Sequence, residues 1–125
     1  MNIDFENGMP IYQQIAEEIE DAILSGAFLE DTQVPSTTEI SVQYKINPAT
    51  VLMGINILVE ENILFKKRGV GMFVQQGAAG RILQKRRHQF YDSYIVTLLE
   101  EAKKLKIDKT ELISMIERGE NDGSN

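Results

Sequence analysis

The sequence predicts a mainly α fold with one small β-hairpin, and three patterns carry that expectation. Ile11, Ile15, Ile19 and Ile23 recur at every fourth position, the spacing of one helix face. Two helix-start signals, Ser36 with Glu39 and Asn47 with Pro48, lie so close together that the first helix must be short. Two β-prone runs then flank a basic, glycine-containing turn at Lys67–Gly71.

The elements follow in order. Glu17, Glu18, Glu20 and Asp21 fill the gaps between the first isoleucines, so the first helix is amphipathic. It starts at Pro10, a favoured first-turn residue, and stops near Ser25-Gly26. Residues 28–34 form a short connecting segment with loop character around Glu30-Asp31. Ser36-x-x-Glu39 is a capping box, opening a helix from Thr37 to about Tyr44. Asn47 caps the next, which runs from Pro48 to about Glu61, where Asn62 takes the left-handed conformation that ends it. Two short helices joined by so tight a turn form a helix-turn-helix, and the hairpin of Ile63–Lys66 and Met72–Gln75 adds a wing. The first domain therefore spans residues 1–76.

Gly77-Ala78-Ala79-Gly80 reads as a linker over residues 77–80. Beyond it, residues 81–118 form a two-helix dimerisation segment. A long helix from about Arg81 to Lys106 carries an apolar seam of Phe90, Tyr91, Tyr94, Ile95, Leu98, Ala102 and Leu105. Asp108-x-x-Glu111 opens a shorter helix with Leu112, Ile113 and Ile116. One long and one short helix cannot easily bury such a seam alone, so a homodimer through these residues is expected. The polar residues 119–125 read as a disordered tail.

Charge is distributed unevenly. Net charge is −6, yet residues 1–76 hold eleven Asp/Glu against four Lys/Arg, and the first 44 residues have no Lys or Arg. Lys66-Lys67-Arg68 and the group Arg81, Lys85, Arg86, Arg87 have few acids near them, so a polyanion has to meet the chain there. The absence of cysteine excludes disulfides and thiolate metal sites and fits a cytoplasmic protein. The N-terminus lacks the pattern of a signal peptide, and no apolar run is long enough to span a membrane. His88 stands alone in a basic stretch without metal-ligand spacing, and no nucleophile motif or phosphate-cradling loop is present, so neither an enzyme nor a cofactor is expected.

The third helix carries the most informative face. Val51, Ile55, Leu58 and Val59 share one side and must face the core. Ala49, Met53 and Asn56 lie opposite, with Leu52 at the edge, where a solvated face normally carries charge. Three readings stay open for this face: extra core packing, a partner protein, or the major groove of double-stranded DNA. In the groove, Asn pairs with adenine and apolar groups touch thymine methyls. Ser36 and Thr50 place hydroxyls at helix starts, where backbone N–H groups attract phosphate. Lys66, Lys67 and Arg68 sit at the hairpin tip, and Gly69 and Gly71 let the turn approach a backbone or minor groove.

Three stretches, PIYQQIAEEIEDAILSGAF, VPSTTEISVQYKINPATV and LVEENILFKKRGVGMFV, together resemble the GntR family of bacterial transcription regulators from Pro10 to Val74. The two-helix C-terminal part is similar to the YtrA subfamily. That resemblance implies a homodimeric DNA-binding regulator, often a repressor of genes for ABC-type transporters, acting on a pseudo-palindromic operator. It names no effector. By position it implies phosphate and groove contacts at Ser36, Thr38, Asn47, Ala49, Thr50, Met53, Lys67, Arg68 and Gly69. Thr38 stands where the family usually has Arg, Leu52 and Met53 stand where a basic residue is usual, and Asn62 stands where Gly is usual. Losing both cations implies weaker binding and a shifted site preference, with the hairpin and the Arg81–Arg87 cluster left to compensate.

Overall fold

The computed structural model describes residues 1–123 and resolves two compact units, Met1–Gln84 and the segment from Lys85 onward. The chain is mainly helical with a two-stranded antiparallel hairpin. In the first unit α1 (Ile11–Leu24), α2 (Thr37–Tyr44) and α3 (Pro48–Glu60) precede β1 (Leu64–Lys67) and β2 (Gly71–Val74). Helix α4 (Ala78–Phe90) begins in that unit. A π-helical turn (Tyr91–Ile95), α5 (Val96–Lys104) and α6 (Lys109–Gly123) follow it. No helix among the described residues is long and apolar enough to cross a membrane.

The helix starts and stops are set by local chemistry. Ser36 and Glu39 complete the capping box: Glu39 N–H donates to Ser36 Oγ (3.0 Å) and Ser36 N–H to Glu39 Oε1 (3.1 Å). Asn47 Oδ1 accepts from Ala49 N–H at 2.8 Å ahead of Pro48. Between α2 and α3 Lys45 adopts φ 54°, and Ser41 Oγ donates to Ile46 carbonyl oxygen at 2.6 Å, which fixes the turn. Asn62 (φ 59°) ends α3 with Asn62 N–H on Val59 and Ile63 N–H on Leu58, the paired bonds of a Schellman motif. Lys106 (φ 57°) ends α5 through the same pair, to Lys103 and Ala102.

The core of the first unit is aliphatic. Ile15 and Ile19 of α1 meet Val51, Ile55 and Leu58 of α3, with Ile40, Ile63, Leu64 and Val74 closing the remaining sides. Burying each such side chain contributes about 1.5–3 kcal/mol. At Gly54 α3 lies tight against α1: a Cβ there would lie 2.6 Å from the Tyr12 carbonyl oxygen and 3.2 Å from Ile15 Cβ. Gln14, also buried, binds the segment ahead of α1. It accepts from Asp4 N–H (2.7 Å) and donates to the carbonyls of Asp4 (2.6 Å) and Met9 (2.9 Å).

Four expectations need correction. Residues 77–80 are not a linker: α4 starts at Ala78, and Ala78 and Ile82 are fully buried in the first unit's core. The two alanines favour helix, and burial of Ala78 and Ile82 outweighs the modest helix penalty of Gly80. The hairpin pairs one residue nearer the turn than expected, Leu64 with Val74 through Lys67 with Gly71. Gly69 (φ 77°) turns the chain while Val70 N–H bonds Lys67 carbonyl oxygen at 2.9 Å, which leaves only three residues between the strands. The long helix from Arg81 to Lys106 is interrupted by the π turn, where Val96 N–H reaches back to Tyr91. Finally, residues 119–123 are the last turns of α6, not a tail; Ser124 and Asn125 of that expected tail lie outside the described residues. Asp108 Oδ1 accepts from Glu111 N–H at 2.8 Å and opens that helix.

Gly54→Ala is therefore expected to destabilise the first unit by about 1–3 kcal/mol through overpacking. Gly80→Ala, an added methyl in open space on a helix, is expected to stabilise by about 0.5–1 kcal/mol. Thermal or urea unfolding followed by circular dichroism measures both, and equal effects of the two would contradict the α1–α3 contact.

Candidate nucleic-acid interface

Packing on α1 decides which face of α3 remains outside. With Val51, Gly54, Ile55 and Leu58 buried, the helical period turns Ala49, Leu52, Met53 and Asn56 outward. Leu52 is 44% and Met53 52% exposed, so the extra-core reading of this face is excluded within the first unit. No Lys, Arg, Asp or Glu occurs in α3 before Glu60. Thr50 is half-buried in its first turn.

Ser36 and Thr38 sit at the start of α2, which also carries Val42 at 73% exposure. Ser36 Oγ and the Asn47 amide oxygen already accept capping bonds, so a contact with phosphate uses the Ser36 hydroxyl proton, the Asn47 side-chain NH2 or the helix-start N–H groups. Glu39 in the first turn of α2 adds a negative charge there. The first turn of α3 has no acidic residue, which makes it the more favourable end for an anion.

The wing is more constrained than a free hairpin. Phe65 and Phe73 stack with centroids 5.8 Å apart, and Lys67 Nζ lies 4.2 Å from the Phe73 centroid. Lys67 is thus held over the aromatic pair, while Lys66 and Arg68 are exposed and unconstrained by it. The outer edge of β2 is also paired. Val34 N–H bonds Met72 carbonyl oxygen (2.9 Å), Val74 N–H bonds Thr32 (3.0 Å), and Gln33 forms a bridge with Phe73. Gln33 Nε2 then donates to Val70 carbonyl oxygen at 2.9 Å, tying the wing tip to residues ahead of α2. Gly71, at φ 146°, faces this amide, and a Cβ there would collide with it. Sequence reasoning assigned residues 28–34 no such role, because Gln33 gives no local signal for a partner 37 residues away.

The expected compensating cluster is less available. Arg81 Nη1 donates to Gln76 carbonyl oxygen at 2.7 Å, and Lys85 and Arg86 are half-buried and already partnered. A cleft of about 360 Å³ is lined by Glu18, Asp21, Phe28, Ile40 and Tyr44 among others, with no Lys or Arg, so it is not built for a phosphate. Among the described residues no cluster of His, Cys, Asp or Glu could hold a metal ion.

Residues 11–74 match the family model for bacterial regulatory proteins of the gntR family. This chain belongs to the GntR family. It is a transcriptional regulator with a winged helix-turn-helix, not an enzyme. The repressor YtrA of Bacillus subtilis is 27% identical over 67% of this chain and 65% of its own length. The repressor NagR of the same organism is 34% identical over 67% of this chain, which spans about a third (35%) of NagR. A GntR-family regulator of Bacteroides thetaiotaomicron superposes with a TM-score of 0.76 at 31% identity, covering 90% of this chain and 98% of its own. The DNA-binding domain of AraR, solved with its operator ORX1, is 29% identical over 59% of this chain and 95% of its own, with a TM-score of 0.55.

In the second unit Phe90, Tyr91, Tyr94, Leu98 and Leu105 of the expected dimer seam are all exposed, and the Phe90 and Tyr94 rings lie 5.4 Å apart. Ile95 is half-buried. Ala102 is different: it is buried within its own chain and offers no surface. Leu99, absent from the expected seam, is 52% exposed.

Gln33→Ala is expected to loosen the wing without unfolding the unit. Amide exchange at residues 68–71 should accelerate while the unfolding free energy changes by about 1 kcal/mol, the net worth of one hydrogen bond. Exchange rates unchanged at the wing tip would show that the Gln33–Val70 bond does not hold it.

Proposed function

We propose that this regulator is a homodimeric repressor, cytoplasmic, that binds a pseudo-palindromic operator in double-stranded DNA through residues Ser36–Val74, with ABC-type transporter genes as its targets. The observation that carries the reading is the uncharged outer face of α3, presented between a helix start without acids and a basic wing. In this reading α3 enters the major groove, with Ala49, Met53 and Asn56 toward the bases. Ser36, Thr38, Asn47 and Thr50 lie along the phosphates, and Lys66, Lys67, Arg68 and Gly69 follow the adjacent minor groove. That a related domain has been solved on an operator supports DNA as the partner.

The dimer rests on the second unit. Helix α6 has no buried residue and exposes Ile113, Met115 and Ile116, and the turn of Tyr91–Ile95 exposes two tyrosines. Apolar surface of this extent marks an interface. A second copy supplies a self-complementary partner, because a twofold axis brings the same residues together from both sides. Two such chains place their α3 helices on half-sites about one helical turn apart.

A partner protein on the α3 face is the competing reading, favoured by the same exposed Leu52 and Met53. The two separate in a mobility-shift titration on the chain's own upstream DNA. Lys66→Ala with Arg68→Ala is expected to weaken binding on all sequences and to flatten the salt dependence by about three to four units of log K against log salt, since a dimer loses two cations from each chain. No shift at low salt by the unsubstituted chain would favour the protein partner. Tyr94→Asp is expected to convert dimer to monomer in sedimentation velocity, and a chain that is already monomeric would remove the twofold arrangement.

A further inference from the structure

The outer face of α3 has a chemistry that narrows what it can read, given the DNA-binding role proposed above. Ala49, Leu52, Met53 and Asn56 follow one another at helical spacing and are all exposed. Three of the four have no hydrogen-bonding group in the side chain. The basic residues that read guanine through O6 and N7 are absent, since α3 has no Lys or Arg. Asn47 is no substitute for them: its amide oxygen caps Ala49 N–H at 2.8 Å, and its remaining NH2 is one neutral donor group at the helix start, without the charge or fork of a guanidinium. In the major groove only thymine, of the four unmodified bases, displays an apolar group, its 5-methyl. An apolar side chain set against any other base edge strips water from a donor or acceptor and returns nothing.

We infer that α3 selects A·T pairs by contact with thymine methyl groups, with Leu52 and Met53 as the methyl-reading residues and Asn56 as the adenine-reading one. The methionine suits the task, because its unbranched thioether adapts to a methyl whose position shifts with local groove geometry. Leu52 at 44% and Met53 at 52% exposure have apolar surface left to bury on such a contact. Ala49, one turn earlier, is small enough to let the helix approach the base edges. Asn56, one turn later, supplies both a donor and an acceptor for adenine N7 and N6. The selectivity therefore comes from burial of apolar surface and one amide, with no guanidinium on α3 to contribute.

The decisive change can be made in the DNA, so the first measurement needs only the unsubstituted chain. Duplexes selected from random sequence by the protein give a consensus half-site. Each thymine in it is then replaced singly by uracil, which removes the methyl and nothing else. Uracil at one or two positions is expected to weaken binding about three- to fivefold, the value of one buried methyl-sized group. Met53→Ala or Leu52→Ala should abolish the difference between thymine and uracil at its own position while other positions keep theirs. Met53→Arg should shift the selected half-site toward guanine. Equal affinity for thymine and uracil at every position, or alanine variants that weaken both duplexes alike, would overturn the methyl reading while leaving DNA binding intact. Absence of any enriched sequence would instead remove sequence-specific DNA binding, and the methyl reading with it.

Discussion

The approach of α1 to α3 at Gly54 is the constraint on which the rest of the first unit depends. Helices pack at about 8–10 Å between axes, with the distance set by the side chains at the contact. Here the α3 contact residue has none, and the Tyr12 carbonyl oxygen occupies the space a methyl would need. Ile15 and Ile19 can then pack directly between Val51, Ile55 and Leu58. Once those residues face inward, the helical period leaves no choice for the others: Ala49, Met53 and Asn56 must face solvent. The orientation of the candidate DNA-reading surface is thus a by-product of core packing, and nothing at that surface is needed to hold it there.

The wing is held by a different kind of interaction. A two-stranded hairpin alone is marginal in water. This one is pinned on its inner side by Leu64 and Val74, which belong to the core, and on its outer edge by backbone bonds from residues 31–34. Gln33 extends that edge to the tip, and the stacked Phe65 and Phe73 stiffen the face beneath Lys67. The three basic residues of the wing are therefore not equivalent. Lys67 has a resting place over aromatic rings and gives up part of that attraction to reach a phosphate, whereas Lys66 and Arg68 give up only hydration.

What was legible in the sequence was what local chemistry decides. Ser36 with Glu39, Asn47 with Pro48, and Asn62 each signal a helix boundary through bonds that span at most a few residues, and the structure places those boundaries at the expected positions. The exposed and buried faces of α3 followed from its period. What stayed hidden depends on partners far along the chain. Residues 77–80 have the composition of a linker, yet residues 78–80 are helix because Ala78 finds a place in the core. Gln14 and Gln33 look like surface amides, and only the folded chain brings Asp4, Met9 and Val70 to them. Nothing local to Gly54 signals that the Tyr12 carbonyl oxygen lies against it. The π turn at Tyr91–Ile95 left no signature in a three-to-four-residue apolar rhythm, although its extra residue shifts which side chains share a face. Ala102 fitted that rhythm and is nonetheless covered by its own chain.

The electrostatics of the first unit explain why the character of the α3 face matters. Eleven carboxylates against four cations in residues 1–76 oppose any polyanion at long range. At physiological salt the Debye length is about 8 Å, so acids on the far side of α1 are screened while Lys66 and Arg68 at the contact are not. In the proposed DNA-bound arrangement, binding is permitted but weakly driven, because the two or three cations per chain on the wing release few counterions. Affinity for arbitrary DNA is low in such a protein. In that arrangement the free energy that distinguishes one sequence from another comes from close contact at the bases, where α3 presents a mostly apolar face. A regulator with this balance sacrifices non-specific binding first, and keeps whatever discrimination its uncharged helix can supply.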